Sequence, residues 1–280
     1  MQDFFTFFFL SCVFFVTLQK VFDYVMISKA EIQRVRSLSQ KKFRDELGLF
    51  VGEGQKLVSD ILSSFPCNCI YVSSDAEFPS FNGRIEHISQ SELERISNLR
   101  SPQGVVGVFE TRYGDLSSVC PDKELTLCLD GIQDPGNIGT IIRTADWFGI
   151  RHVVCSNDCV DVFNPKVVQA TMGALARVSV CYTNLTEWIK NQKNNTPIYG
   201  TLLDGKNIYE QELSDCGVLI MGNEGNGISE EVRKLITAPL YFPNFPIGVP
   251  TSESLNVGVA TALFCSEFRR RQAQNPKAKG

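Results

Sequence analysis

Residues 217–229, GVLIMGNEGNGIS, decide the fold: an unbroken apolar run enters a turn built on Gly222, Gly225 and Gly227 and leaves toward a helix-forming stretch. A strand that is apolar at every position has no solvent face, as expected for a strand covered on both sides in a parallel sheet. The glycines let the backbone of the turn come close to a ligand. Their offsets match neither GxGxxG nor a phosphate loop ending in Lys-Ser/Thr, so a dinucleotide or nucleoside triphosphate site is not supported. Glu224 is expected at the strand's end. Taken alone, a tight strand-to-helix turn with a solvated carboxylate accounts for the segment equally well.

Upstream lies 125–149, LTLCLDGIQDPGNIGTIIRTADWFG, with the same grammar. A strand ends at Asp130, a Gly/Pro-rich turn follows, and Asn137 is expected to open a helix whose apolar face is Ile138, Ile141, Ile142, Ala145 and Phe148. Ligands in α/β sheets sit at the carboxyl ends of strands and at helix N-termini. Arg143 falls on another face of that helix. An N-cap and a solvated arginine are the plain reading of the segment by itself. Further strands are predicted at HVVCS, RVSVCYT, PIYGTLL and LYFPN, with helices between them, as in a layered α/β domain.

Downstream, 241–271 reads YFPNFPIGVPTSESLNVGVATALFCSEFRRR. Pro243, Pro246 and Pro250 stiffen a loop. A Thr-Ser-Glu-Ser stretch is expected to cap a last helix from about Glu253 to Arg271. Asn256 falls in its first turn, Leu255, Val259, Leu263 and Phe264 face inward, and three arginines suit its C-terminus. A well-capped terminal helix is again the plain alternative.

Residues 26–109 form a second region. A basic helix carries Lys29, Arg34, Arg36, Lys41, Lys42 and Arg44, and alternating strands and helices follow to the strand VVGVF. Residues 110–124 are expected to be a linker, 125–272 the second domain, and 273–280 a disordered tail. Residues 4–16 are an apolar run of 13, short of the roughly 20 a membrane helix needs. No basic residue precedes the run, so it is a poor export signal. Met26 is expected as the functional start, with 1–25 an extension outside the native protein.

The formal net charge is −4, so any nucleic-acid surface must be local. Ten cysteines and two histidines lack metal spacing, so no metal is expected. Apolar neighbours make Cys128, Cys155, Cys181, Cys216 and Cys265 small core residues, as suits a reducing cytoplasm.

Three motifs then act together: Asn137, Gly139 and Arg143; Gly222, Glu224, Gly225 and Gly227; and Ser254, Leu255, Asn256 and Val257. In this order they resemble the SpoU (TrmH-type) RNA 2′-O-ribose methyltransferases of the SPOUT superfamily, over essentially Met26 to Arg271. One departure is the insertion-like FPIGVPT ahead of Ser252, which bears on the shape of the cofactor pocket. The resemblance implies an α/β fold: a parallel-sheet catalytic domain with a C-terminal trefoil knot, plus a small N-terminal α/β RNA-binding domain similar to a ribosomal protein. It implies S-adenosylmethionine as cofactor, held by Thr201, Leu202, Leu203, Met221, Gly222, Asn223, Gly227, Phe242, Pro243 and Leu255. It implies structured RNA as substrate, rRNA ahead of tRNA, a homodimer, and no membrane partner.

The implied catalytic set is Asn137, Arg143, Glu224, Ser254 and Asn256. A guanidinium stays protonated and has no acceptor, so Arg143 suits a phosphate clamp and alkoxide stabiliser better than a base. Asn137 would orient the ribose or Arg143. Glu224 would hold its loop or Arg143, because a carboxylate facing the sulfonium favours the ground state. A non-catalytic RNA-binding protein that kept the fold is the alternative of another class. A dinucleotide oxidoreductase is disfavoured by the missing GxGxxG.

Overall fold

The computed structural model describes residues 26–246, 249 and 252–274. The expected extension at 1–25 and most of the expected tail lie outside these residues. The chain divides into two compact units, meeting at Thr111 and Arg112.

The first unit opens with two short helices, α1 (Lys29–Ser37) and α2 (Lys41–Leu47), followed by β1 (Leu49–Glu53), α3 (Gln55–Leu62), β2 (Cys67–Ser73), β3 (Ile85–Ile88), α4 (Gln90–Ile96) and β4 (Val105–Glu110). Its mixed sheet has the order β1-β4-β2-β3, with β4 antiparallel to both neighbours and β2 parallel to β3. Val35 and Leu38 of the first helical hairpin pack with Val51, Tyr71, Leu93, Ile96 and Val106 in one core. Ser89 caps α4 in a complete capping box with Glu92.

The second unit contains β5 (Leu125–Asp130), α5 (Pro135–Trp147), β6 (His152–Ser156), α6 (Pro165–Thr171), β7 (Ser179–Thr183), α7 (Leu185–Lys190), β8 (Ile198–Asn207), β9 (Gly217–Gly222), α8 (Glu230–Arg233), β10 (Ala238–Tyr241) and α9 (Val257–Gln274). The sheet is parallel throughout, in the order β10-β8-β9-β5-β6-β7. Strands β5 and β9 are buried at every position, which is why both read as unbroken apolar runs. The chain winds outward from β5 through β6 and β7, then returns to place β9 on the other side of β5. That reversal is a topological switch point, where the carboxyl ends of two neighbouring strands diverge and leave a crevice.

Several boundaries differ from the expectation, each for a local reason. Helix α5 opens two residues before Asn137: Asp134 is its N-cap, accepting the backbone N–H of Asn137, and Pro135 occupies the first turn. The last helix begins at Val257, not Glu253, because Asn256 is its cap: its Oδ1 accepts the N–H groups of Gly258 at 3.0 Å and Val259 at 3.3 Å. The helix continues through Gln274. Leu255 and Val259 do not face inward; they are 52% and 51% exposed. No described helix is long and apolar enough to cross a membrane.

Candidate active site

The turn after β9 is built by one side chain. Asn223 Oδ1 accepts the N–H groups of Gly225 at 2.9 Å and Asn226 at 3.1 Å, and Nδ2 donates to the carbonyl of Gly131 at 2.7 Å. The backbones of Asn223 and Gly227 exchange two hydrogen bonds of 2.9 Å, closing the loop on itself. The closure is possible only because residue 222 lacks a side chain: a Cβ there would lie 2.4 Å from the carbonyl carbon of Gly227. Gly227 itself has φ +70°, a conformation glycine adopts at no steric cost. Asp130, at the end of β5, accepts the N–H of Ser229 at 2.7 Å and so fixes the far side of the loop.

The three motifs meet at this rim. Asn137 Nδ2 donates to the carboxylate of Glu224, and Asn256 Nδ2 donates to Asn137 Oδ1 at 2.8 Å. Glu224, Asn137, Asn256 and the N-terminus of α9 are thus joined in one line of hydrogen bonds. Helices α5 and α9 lie close enough that a Cβ on Gly258 would meet the Thr140 side chain at 3.0 Å. Glu224 therefore holds Asn137, and Arg143 has another situation: it is exposed and has no hydrogen-bond or ion-pair partner among the described residues. An unpartnered guanidinium on the helix that carries Asn137 is free to meet an anion brought by a substrate. Ser254 is exposed on the segment leading into α9.

The residues expected to hold a cofactor fall at the carboxyl-side parts of adjacent strands. β8 lies between β9 and β10: its register with β9, Gly200 opposite Ile220, brings Thr201 next to Met221, whereas a register shift in β10 sets Tyr241 opposite Asn207, so Phe242 and Pro243 follow the end of β8. Their environments differ. Met221 and Gly222 are buried, and Leu202 packs against the apolar core. Thr201 Oγ1 donates to the Ile220 carbonyl at 3.0 Å. The Phe242 ring packs edge-on against Tyr209 and Phe264, with centroids 5.2 and 5.7 Å away. Leu203 is 68% exposed. Of the insertion-like stretch, residues 247, 248, 250 and 251 lie outside the described residues.

Sequence reasoning missed Asp130, Gly131 and Ser156 as parts of this scaffold. Ser156 Oγ accepts the Gly131 N–H at 2.9 Å and donates to Asp158, clamping the turn after β5. The available signal was weak: a carboxylate closing an otherwise apolar strand. Among the described residues no group of His, Cys, Asp or Glu is arranged to hold a metal.

In the first unit, taken by itself, the six predicted RNA-contacting cations separate into three sets. Lys29, Arg36 and Lys42 are exposed with no carboxylate partner among the described residues. Arg34 forms a two-pronged pair with Glu31 at 2.7 and 2.9 Å, and Lys41 pairs with Asp45 at 2.8 Å. The Arg34 guanidinium, with help from Tyr71, holds the Glu31 carboxyl below its ordinary range. Arg44 is only 2% exposed and donates to the Leu38 carbonyl at 2.8 Å, so it is an internal brace and not an RNA contact. Its bond to the residue six positions earlier, at the end of α1, draws it under the hairpin, which a count of cations along a helix does not reveal.

Both units of the chain are similar to known proteins. Residues 124–266 match the model of the SpoU rRNA Methylase family, and residues 29–107 match an MRM3-like substrate binding domain. A 23S rRNA (guanosine(2553)-2′-O)-methyltransferase from Bacillus subtilis is 30% identical, over 87% of this chain and 98% of its own length. The structure of a putative RNA methyltransferase of the TrmH family from Porphyromonas gingivalis is 40% identical, with TM-score 0.79, covering 88% of this chain and all of that one. An AdoMet-bound rRNA methyltransferase from Sinorhizobium meliloti has TM-score 0.78 at 29% identity, covering 88% of this chain and 97% of its own.

Proposed function

The chain belongs to the SpoU rRNA methylase family, and we propose that its site methylates one ribose 2′-hydroxyl of structured ribosomal RNA through the residues assembled at the β5–β9 switch point. It is an S-adenosylmethionine-dependent RNA 2′-O-methyltransferase. The observation that carries the residue assignment is the hydrogen-bonded line from Glu224 through Asn137 to Asn256, on the same helix as the unpartnered Arg143.

When bound, S-adenosylmethionine supplies an electrophilic methyl group on a sulfonium. The protein must hold the hydroxyl in line with it and stabilise the charge that develops as the proton leaves. Arg143 is the donor for that charge or for the neighbouring phosphate. Asn137 has one amide hydrogen and one lone pair left after its two side-chain contacts, enough to orient a ribose hydroxyl. Glu224 and Asn256 lock the rotamer of Asn137, and Ser254 closes the site over the substrate.

The cofactor is read as lying across the ends of β8 and β9 and the segment after β10. Exposed Leu203 and half-buried Phe242 offer apolar surface to an adenine, and Gly222 lets the loop of residues 223–227 fold back against the strand end. We read the path after β10 as the closing pass of a trefoil knot. β10 is the edge strand next to β8, yet Asn256 lies against Asn137 just beyond β5, so the chain must travel back past β8 and β9. Such threading is rare among proteins, and the family is one of the exceptions.

The functional form is read as a homodimer, supported by apolar side chains left exposed on the paired helices: Trp147 of α5 at 84%, and Val259 of α9. The RNA is ribosomal in preference to transfer RNA, and a guanosine of the large-subunit RNA is the first candidate, since the Bacillus subtilis relative spans nearly the whole chain. The free cysteines among the described residues suit a reducing cytoplasm.

The test is transfer of label from methyl-labelled S-adenosylmethionine into RNA from cells lacking the gene, followed by alkaline hydrolysis. A 2′-O-methyl group blocks cleavage, so label is expected in alkali-resistant dinucleotides. Label recovered in single nucleotides means base methylation and overturns the acceptor. Absence of both labelling and cofactor binding favours an RNA-binding protein without catalysis.

A further inference from the structure

Helices α1 and α2 of the first unit enclose an open groove of about 550 Å³, lined mainly by Ile32, Gln33, Arg36, Ser39, Gln40 and Phe43. We propose that this groove seats one unstacked nucleotide of the RNA substrate, its base on the Phe43 ring and its phosphate at Arg36. The inference rests on the RNA reading above and adds a place and a mode of contact to it.

Four features of the groove point to a nucleotide. Its volume lies within the range of small-molecule sites, roughly 300–1,000 Å³. Its floor is apolar: Ile32 is buried and Phe43 is half-buried, and both line the groove. Beside Arg36, its polar groups include two exposed amides, Gln33 and Gln40, with no side-chain partner among the described residues, whereas the Ser37 and Ser39 hydroxyls are spent on the Arg34 and Arg36 carbonyls. An amide presents donors and an acceptor together, which suits the edge of a base. The last feature is charge. Lys29, Gln33 and Arg36 fall on one face of α1 by helical spacing. Lys42 Nζ lies 5.8 Å from the Phe43 ring centroid. None of these three cations is neutralised, and no carboxylate lines the groove.

The groove is also held open in advance. Arg44, buried beneath the hairpin, ties α2 to the Leu38 carbonyl at 2.8 Å, and Leu38 ends α1 with its own N–H on Val35 and Arg36 carbonyls. A preformed aromatic platform flanked by cations favours single-stranded RNA, because a base inside a duplex has its faces covered by its neighbours.

The experiment uses the full chain and two probes: a ten-nucleotide single-stranded RNA of mixed sequence carrying 4-thiouridine, and the duplex of the same sequence. Ultraviolet crosslinking followed by peptide mapping is expected to place the single-stranded probe on the peptide containing Phe43. Phe43→Leu keeps apolar bulk but loses the ring; single-strand affinity should fall about five- to a hundredfold, the range for loss of one stacking contact. Gln33→Ala with Arg36→Ala changes only exposed side chains and should lower it similarly, with duplex affinity moved less than twofold. Crosslinks confined to other peptides, or equal losses for both probes, overturn the proposal. Methyl transfer to rRNA is measured on the same samples. A chain that transfers methyl groups but crosslinks elsewhere disproves the groove alone. A chain that crosslinks at Phe43 but neither transfers methyl groups nor binds S-adenosylmethionine disproves the enzymatic reading and leaves the groove standing.

Discussion

Asn137 and Arg143 sit six positions apart on one helix and have opposite circumstances. Asn137 uses both ends of its amide on the protein, whereas Arg143 has no partner among the described residues. Arg143→Ala should therefore leave the thermal midpoint unchanged while slowing methyl transfer by about a hundred- to a thousandfold, the usual cost of losing a donor to developing charge. Unchanged turnover would remove Arg143 from the mechanism. Asn256 has two separable jobs. Asn256→Ala should cost about 1 kcal/mol of stability through the lost helix cap and also slow transfer. Asn256→Ser restores a capping oxygen without the amide that donates to Asn137, so calorimetry should show recovered stability and the assay should show none. Recovery of both would mean that the cap alone matters.

At the scale of elements, the turn after β9 and the end of α9 are the most constrained pieces. Gly222→Ala puts a Cβ where the Gly227 backbone lies, so the turn has to open. The expected result is weakened S-adenosylmethionine binding by calorimetric titration, with the circular dichroism of the sheet retained. The arginines closing α9 do more than answer its dipole. Arg269 donates to the Phe148 carbonyl at 2.7 Å, and Arg271 to the Gln211 carbonyl at 3.1 Å, so the helix end is tied to the segments that follow α5 and precede β9. Arg270 and Arg271 grip the buried Glu267 carboxylate and hold its pKa below the ordinary 4.5. A carboxyl with a lowered folded-state pKa contributes stability that is fully present above its unfolded value and is lost as pH falls through the folded one. Glu267→Gln should accordingly flatten the loss of stability below about pH 4.5, read as a smaller difference between thermal midpoints at neutral and acid pH. An undiminished acid sensitivity would place it on other carboxylates.

Across the catalytic unit, strand order does what no single segment can. It lays β9 beside β5 in register, Asp130 opposite Gly222, and so brings Asn223 onto the Gly131 carbonyl and Glu224 to Asn137. The same topology leaves Trp147 exposed on α5. Trp147→Glu should shift the protein from dimer to monomer in sedimentation if that face is the subunit interface, and an unchanged mass would move the interface elsewhere.

Much of this was legible in the residues. The all-apolar runs at 125–130 and 217–222 announced buried parallel strands, since a strand covered on both faces can carry no polar alternation. Asn164 and Pro165 open α6, and Ser89 and Glu92 cap α4, through backbone chemistry that acts within three residues. Properties set by neighbours distant in sequence were less legible. Arg44 looked like its fellow cations but is buried, and Leu255 and Val259 fit an inward stripe yet face outward. In each case helical spacing assigns a face but not what covers it. The element types, the glycine-dependent turn and the three motifs were determined by the sequence itself, because periodicity and backbone sterics are local. Only the tertiary structure decided that Glu224 grips Asn137, 87 residues away, and that Asn256 joins them from 119 residues beyond Asn137. Those partners are chosen by the order in which strands pair, and that order is a property of the folded chain as a whole.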